Sequence, residues 1–198
     1  MSVEHKDEII KASIIKAAEN LFQKWGLNKT TMEDIAKASG KGKSTLYYYF
    51  KSKEEIFDVV LMKEMNEVQD AVRKAVAKET SFETKMRTYV ITNLNEIRKR
   101  TNMYSIVKAE ITMDDGFIKK LRSIFDTQEL EDVKEIINFG IRNGEIKNFS
   151  AKEIATLAHI ILISFRGIEM DLFIEHKFFD DNEKIDNLID ILYNGIKK

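Results

Sequence analysis

From Lys41 to Lys53 the chain carries four lysines and no carboxylate, and among them stand Ser44, Thr45, Tyr47, Tyr48 and Tyr49. Ammonium groups and hydroxyls can hydrogen-bond phosphate oxygens and base edges. Tyrosine adds an apolar ring with a polar tip. This is chemistry for holding a nucleic acid. Catalytic groupings are missing by contrast. His5, His159 and His176 have no metal-ligand spacing. There is no cysteine, which excludes a disulfide framework, a Cys-ligated zinc site and a thiol nucleophile. No serine elbow is present, nor a carboxylate pair beyond ordinary helix surface. Gly42-Lys43-Ser44 imitates the end of a phosphate-binding loop, but that motif needs a glycine where Lys37 stands, and a strand before it. No enzyme, cofactor or metal centre is expected.

The elements that would position the basic segment are helical. Thr31 and Asp34 form a capping box opening a short helix with Ile35 and Ala36 on its inner face. Ser39-Gly40 ends it, and Gly40 can take the left-handed conformation a tight turn requires. A second short helix, about 43–49, follows. Leu46 and Phe50, four apart, pin it to a core, leaving Lys43, Ser44, Thr45, Tyr47 and Tyr48 outward. Two short helices joined by a glycine-containing turn make a helix-turn-helix, whose second helix suits the major groove of DNA. A solvated helix face in a plain bundle would show similar charge, and is the competing explanation.

The wider chain agrees. Its 198 residues are 43% hydrophobic and 33% charged, with 8 glycines and no proline, which favours an all-α fold. The net charge of −1 hides a division: residues 1–53 hold ten lysines and six acids, so the remainder is acidic. Helices are expected at about 6–25, 53–76, 82–99, 104–112, 117–143, 151–175 and 182–196. The first carries the stripe Ile10, Ile14, Ala17, Ala18, Leu21, Phe22 and Trp25, with Gly26 as its C-cap. Further capping boxes are read at Ser52–Glu55, Thr80–Glu83 and Ser150–Glu153, with a looser one at Asp180–Glu183, and Gly144 is a stop. No apolar run is long enough to span a bilayer, and the charged start lacks a signal-peptide core, so a cytoplasmic protein is expected.

The stretch Thr31 to Phe57 resembles the DNA-binding domain of the TetR (tetracycline repressor-like) family of bacterial transcriptional regulators. The resemblance rests on Asp34-Ile35-Ala36, Gly40, Thr45-Leu46-Tyr47-Tyr48, Phe50 and Lys53-Glu54. Lys41-Gly42 replaces the usual hydrophobic residue and serine, and Tyr49 stands where histidine is frequent. The resemblance implies a three-helix DNA-binding domain at 1–53 and a helical effector-binding and dimerisation domain at 54–198. It implies a repressor that binds a palindromic double-stranded operator as a homodimer and is released by a small molecule. Lys43, Ser44, Thr45 and Tyr47 would enter the major groove, while Thr31, Tyr48 and Lys53 would hold phosphates. The last two helices would build the dimer. A helical binding or scaffolding protein with a degenerate reading helix is the alternative, motivated by Lys41-Gly42.

Polar residues inside the apolar helices are the handles on an effector: Tyr89, Asn93, Tyr104, His159, Arg166 and Glu169, with Met86, Met113 and Phe165 as apolar walls. Each has a plainer explanation. Arg166 and Glu169 are three apart and can pair on one helix. His159 suits a core or an interface, and Tyr89 and Tyr104 suit a core with a solvated hydroxyl. The face Ile185, Leu188, Ile189 and Leu192 serves core and dimer alike, so sequence does not divide the two.

Overall fold

The computed structural model describes residues 3–100, 115–174 and 182–198. Among the described residues there are eight helices: α1 (Val3–Lys29), α2 (Met32–Ala38), α3 (Lys43–Tyr49), α4 (Lys53–Val76), α5 (Phe82–Lys99), α6 (Asp115–Arg142), α7 (Ala151–Ile174) and α8 (Asn182–Ile196). The all-α expectation holds. The only β-type pairing among those residues is an isolated bridge between Ile146 and Lys197, which ties the last residues to the α6–α7 connection. The helix expected at 104–112 and the cap expected at Asp180 lie outside the described residues.

The described chain divides into two compact units, residues 3–67 with Arg100, and residues 68–99 with 115–174 and 182–198. The division falls inside α4. In the first unit α1 packs on α2 and α2 on α3. Ile14, Ala18, Phe22, Ile35, Leu46, Ile56, Phe57 and Val60 are buried there, with Phe22 and Phe57 meeting edge to face at 5.3 Å. In the second unit α5 packs against α6 and α8, and α6 against α7. Its core draws Val72 from α4, Phe82, Met86 and Tyr89 from α5, Val133 and Ile137 from α6, Ile161 and Phe165 from α7, and Ile185 and Ile189 from α8.

Helix ends follow the local chemistry, with four corrections to the first helix and the caps. Gly26 is not a simple C-cap. The backbone passes through it at φ 80°, ψ 167°, a glycine-only conformation, and resumes one more helical turn to Lys29. The wholly buried Thr30 fixes this break by donating its hydroxyl to the Gly26 carbonyl at 2.7 Å. Trp25 leaves the apolar stripe. It is 45% exposed, with the Lys24 ammonium 5.2 Å over its ring, because the core of this unit is already closed by Phe22 and Leu27. The cap of α5 falls on Ser81 rather than Thr80: the Thr84 N–H donates to Ser81 Oγ at 3.2 Å, and Glu145 from the α6–α7 connection accepts the Phe82 N–H at 2.7 Å. The box at Ser150 and Glu153 forms as expected. At the start of α4, Ser52 Oγ accepts the Glu55 N–H as expected, but Glu55 reaches back to the Lys51 N–H instead of closing on Ser52.

Candidate nucleic-acid interface

The turn between α2 and α3 is built before any ligand is involved. Thr31 and Asp34 close a reciprocal capping box: the Thr31 N–H and hydroxyl donate to Asp34 Oδ2 at 3.0 and 2.6 Å, and the Asp34 N–H donates to Thr31 Oγ1 at 3.2 Å. Those bonds hold the Asp34 carboxyl below its usual range. At the other end Gly40 sits at φ 65°. The Lys41 N–H reaches the Ala36 carbonyl at 2.9 Å and the Gly40 N–H reaches that of Lys37 at 3.2 Å. This is a Schellman closure, in which the left-handed residue lets the chain leave the helix at once. It delivers Gly42 as the N-cap of α3.

On α3, Leu46 is fully buried and Phe50 nearly so. Lys43, Ser44, Tyr47 and Tyr48 are exposed, Tyr47 at 54% and Tyr48 at 77%. Thr45 is half-buried, so it is less outward than its neighbours. Large exposed aromatics on a helix anchored from behind by one leucine belong to the surface rather than to the core. Truncating Leu46 to alanine would cost about 2–5 kcal/mol, because the anchor is entirely enclosed.

Four contacts of this surface were not foreseen. The Tyr49 hydroxyl donates to Asp7 Oδ1 at 2.6 Å, tying α3 to the first turns of α1, and the bond to that carboxylate pushes the phenol up to about 12. Tyr48 stacks edge-on against Tyr49 at 4.9 Å. Lys53 donates to the Leu27 and Asn28 carbonyls at 2.9 and 3.5 Å, clamping the turn after Gly26 onto the start of α4. Lys43 pairs with Glu33 of α2 at 2.9 Å, and the carboxylate's hydrogen bond raises the ammonium's affinity for its proton. Thr31 and Lys53, expected at phosphates, thus already hold backbone or cap groups. Only the Glu33–Lys43 pair had a sequence signal: once Asp34 is committed to the cap, Glu33 is the acid left over in this segment.

Comparison with known proteins now decides the family. Residues 14–60 match the model of bacterial regulatory proteins of the tetR family, and α1 to the start of α4 are the elements just described. That segment is a DNA-binding domain of the TetR family. It is 28% identical over 138 residues, 69% of this chain and 72% of the other, to the uncharacterised HTH-type transcriptional regulator YhgD of Bacillus subtilis. It is 35% identical over 95 residues, 48% of each chain, to the HTH-type transcriptional regulator QacR of Staphylococcus aureus. A crystal structure of a transcriptional regulator from Cytophaga hutchinsonii superposes with a TM-score of 0.73 at 29% identity, covering 93% of this chain and 97% of that one. With that domain and these relatives, the chain is a DNA-binding transcriptional regulator. No helix among the described residues is long and apolar enough to cross a membrane.

The described candidate effector residues are scattered within the second unit. Met86 and Phe165 line a gap of only about 40 Å³ between α5, α7 and α8. Tyr89 lines a separate open cleft of about 760 Å³ between α4, α5 and α6. Asn93 is half-buried on α5, and His159 is exposed on α7. Arg166 turns to α6, donating to Asp126 at 2.5 Å and Glu129 at 3.3 Å. Tyr104 and Met113, and the side chain of Glu169, lie outside the described residues. In the cleft Val72, Val76, Ile136 and Phe139 give apolar surface. Arg73 is held there by both oxygens of Asp132 at 3.0 Å, and Lys85 lies 4.7 Å over the Phe139 ring while donating to the Val76 carbonyl at 2.9 Å. The cleft was not legible because its lining is drawn from three helices, with only packing to join them. Among the described residues no cluster of His, Cys, Asp or Glu is placed to hold a metal.

Proposed function

We propose that the chain is a repressor acting in the cytoplasm that binds a palindromic operator as a homodimer and is released by a small-molecule effector. The observation that carries this reading is α3: anchored through the buried Leu46, it presents Lys43, Ser44, Tyr47 and Tyr48 to solvent. One helix this short reads too little sequence, so a two-fold pair reading two half-sites supplies the specificity. The last two helices supply a surface for that pairing. Ile160 and Ile163 on α7 and Ile191 on α8 are exposed apolar side chains, and the small residues Ser164 and Gly167 on α7 are exposed beside them in sequence.

The cleft between α4, α5 and α6 is the effector site in this reading. Its volume is that of small-molecule sites, and it combines an apolar floor with a few fixed polar groups. It is lined by Val72, Arg73 and Val76 of α4, the same continuous helix that begins at Lys53. An effector that binds two settings of α4 unequally favours one, and release follows when the two reading helices no longer meet successive major grooves about 34–36 Å apart.

The test is selection of duplexes from a random library, followed by titration of the enriched sequence with the protein and with Tyr47→Ala. An enriched palindrome, a protein sedimenting as a dimer, and a loss of about 1–3 kcal/mol on losing the tyrosine agree with the proposal. Unchanged affinity for Tyr47→Ala would remove α3 from the groove. If no sequence is enriched, a helical binding protein with a degenerate reading helix takes its place.

A further inference from the structure

The lysines of the reading segment are not equally available to DNA. Lys53 spends its ammonium on backbone carbonyls. Lys43, the first residue of α3, is paired across the turn with Glu33 at 2.9 Å, both side chains being well exposed. Between Lys29 and Lys53 the acids are Glu33 and Asp34, and Asp34 is consumed by the α2 cap. Glu33 therefore stands on the DNA-facing segment without a part in closing its helix. An exposed ion pair contributes about 0–1 kcal/mol to stability, and a carboxylate in the first turn of α2 about 0.3–1 kcal/mol, so the folding role of Glu33 is small. Its electrostatic effect on DNA is larger, because every ammonium kept from phosphate is one counterion not released.

We propose that Glu33 is a specificity-determining residue, holding the Lys43 ammonium away from the phosphates of any duplex and yielding it only to a base edge of the operator. Phosphate offers the same charge at every step of any duplex, so a contact to it discriminates nothing. A guanine edge offers two acceptors, N7 and O6, at one place, and a lysine directed into the groove can take both. The carboxylate thus suppresses binding to non-operator DNA more than binding to the operator. The inference rests on Lys43 lying at the DNA, and Lys43→Ala alone tests that placement.

The experiment titrates a mixed-sequence duplex and a library-selected duplex against the protein, Glu33→Gln, Lys43→Ala and the double variant, over a range of salt. Thermal melts verify that all four are folded. Glu33→Gln is expected to bind the mixed-sequence duplex about eightfold more tightly at 0.1 M salt per added phosphate contact, with a salt slope steeper by about 0.9 per bound subunit. Affinity for the selected duplex rises less, so the ratio between the two falls. In the Lys43→Ala background the Glu33→Gln effect disappears. An unchanged slope for Glu33→Gln, with Lys43→Ala still weakening binding, overturns the inference and leaves the reading helix in place. Persistence of the effect without Lys43 overturns it too, since Glu33 would then be repelling phosphate directly. If Lys43→Ala changes no affinity at all, both the inference and the placement of Lys43 fall.

Discussion

Glu19 in the DNA-binding unit and Glu129 in the C-terminal unit are both carboxylates drawn into their units' interiors, and they respond in opposite directions. Burial pushes Glu19 up, but hydrogen bonds from Lys16 at 2.8 Å and Lys63 at 2.7 Å outweigh it and hold the carboxyl below its ordinary value. Burial pushes Glu129 up as well, and there it wins. Arg166 opposes it from 3.3 Å, but it lies closer to Asp126, at 2.5 Å, and Asp126 and Asp132 add their own repulsion. The difference is stoichiometric. Two cations reach Glu19 in the first unit, with Lys63 also 3.6 Å from Glu67, while one arginine is divided between Asp126 and Glu129 in the second. An enclosed carboxylate strengthens a fold where the cations that reach it outweigh its burial and the carboxylates around it.

The largest expected effect sharpens the first half of that comparison. Glu19→Gln removes the negative charge between Lys16 of α1 and Lys63 of α4 and leaves one oxygen to accept from only one of them, and should cost the DNA-binding unit about 1–3 kcal/mol near neutral pH, read by hydrogen exchange of α1 and α4 amides. Because folding lowers the Glu19 pKa below 4.5, its contribution is complete above that value and lost as pH falls through the folded one. The gap between protein and variant should therefore close in acid. A gap that stays constant with pH would mean the side chain acts through packing alone.

A second pair compares the units through one shared device. Gly40 after α2 and Gly144 after α6 close their helices with the same two bonds. At Gly144 the Glu145 N–H reaches the Gly140 carbonyl at 2.9 Å and the Gly144 N–H that of Ile141 at 3.0 Å. Their φ values are 65° and 71°. A side chain at Gly40 meets nothing within 4 Å, so the cost there is purely backbone. Gly40→Ala and Gly144→Ala should each lose about 1–2 kcal/mol, measured by thermal unfolding. Only the first should also weaken binding to a library-selected duplex, since only that turn aims α3. Equal effects on DNA affinity would mean that the two units are coupled through their helix ends.

The same contrast explains what the sequence could reveal. Around α2 and α3 the decisive bonds are local. Thr31 caps with Asp34 three residues on, Gly40 turns at once, and Leu46 and Phe50 lie one helical turn apart, so type and spacing were enough. The partners that escaped are distant: Lys53 with the Leu27 carbonyl across 26 residues, Tyr49 with Asp7 across 42, and Arg166 with Asp126 across 40. In α7 the run from Ile160 to Ile163 is uniformly apolar, yet Ile161 and Leu162 are buried while Ile160 and Ile163 are each more than half exposed. Hydrophobicity marks such a helix as buried somewhere, and only its neighbours decide which side. For that reason the core and the candidate dimer surface could not be separated beforehand, nor could the cleft between α4, α5 and α6 be assembled.

The smallest expected effect tests the other half of the comparison and has the opposite sign. Folding raises the Glu129 pKa above 4.5, so whatever this group contributes is fully present below that value and is lost as pH rises through the folded one. At neutral pH the ionised side chain is a cost to the C-terminal unit. Glu129→Gln keeps an oxygen to accept from Arg166, removes the repulsion from Asp126 and Asp132, and leaves Arg166 wholly to Asp126. It should stabilise the unit by about 0.5–1 kcal/mol at neutral pH, read from the exchange rates of α6 and α7 amides. As pH falls toward 4.5 the unmodified side chain takes up its proton and becomes neutral like glutamine, so the advantage should vanish there. Destabilisation by Glu129→Gln at neutral pH would show that Arg166 satisfies both carboxylates at once, and that sharing a cation costs this unit nothing.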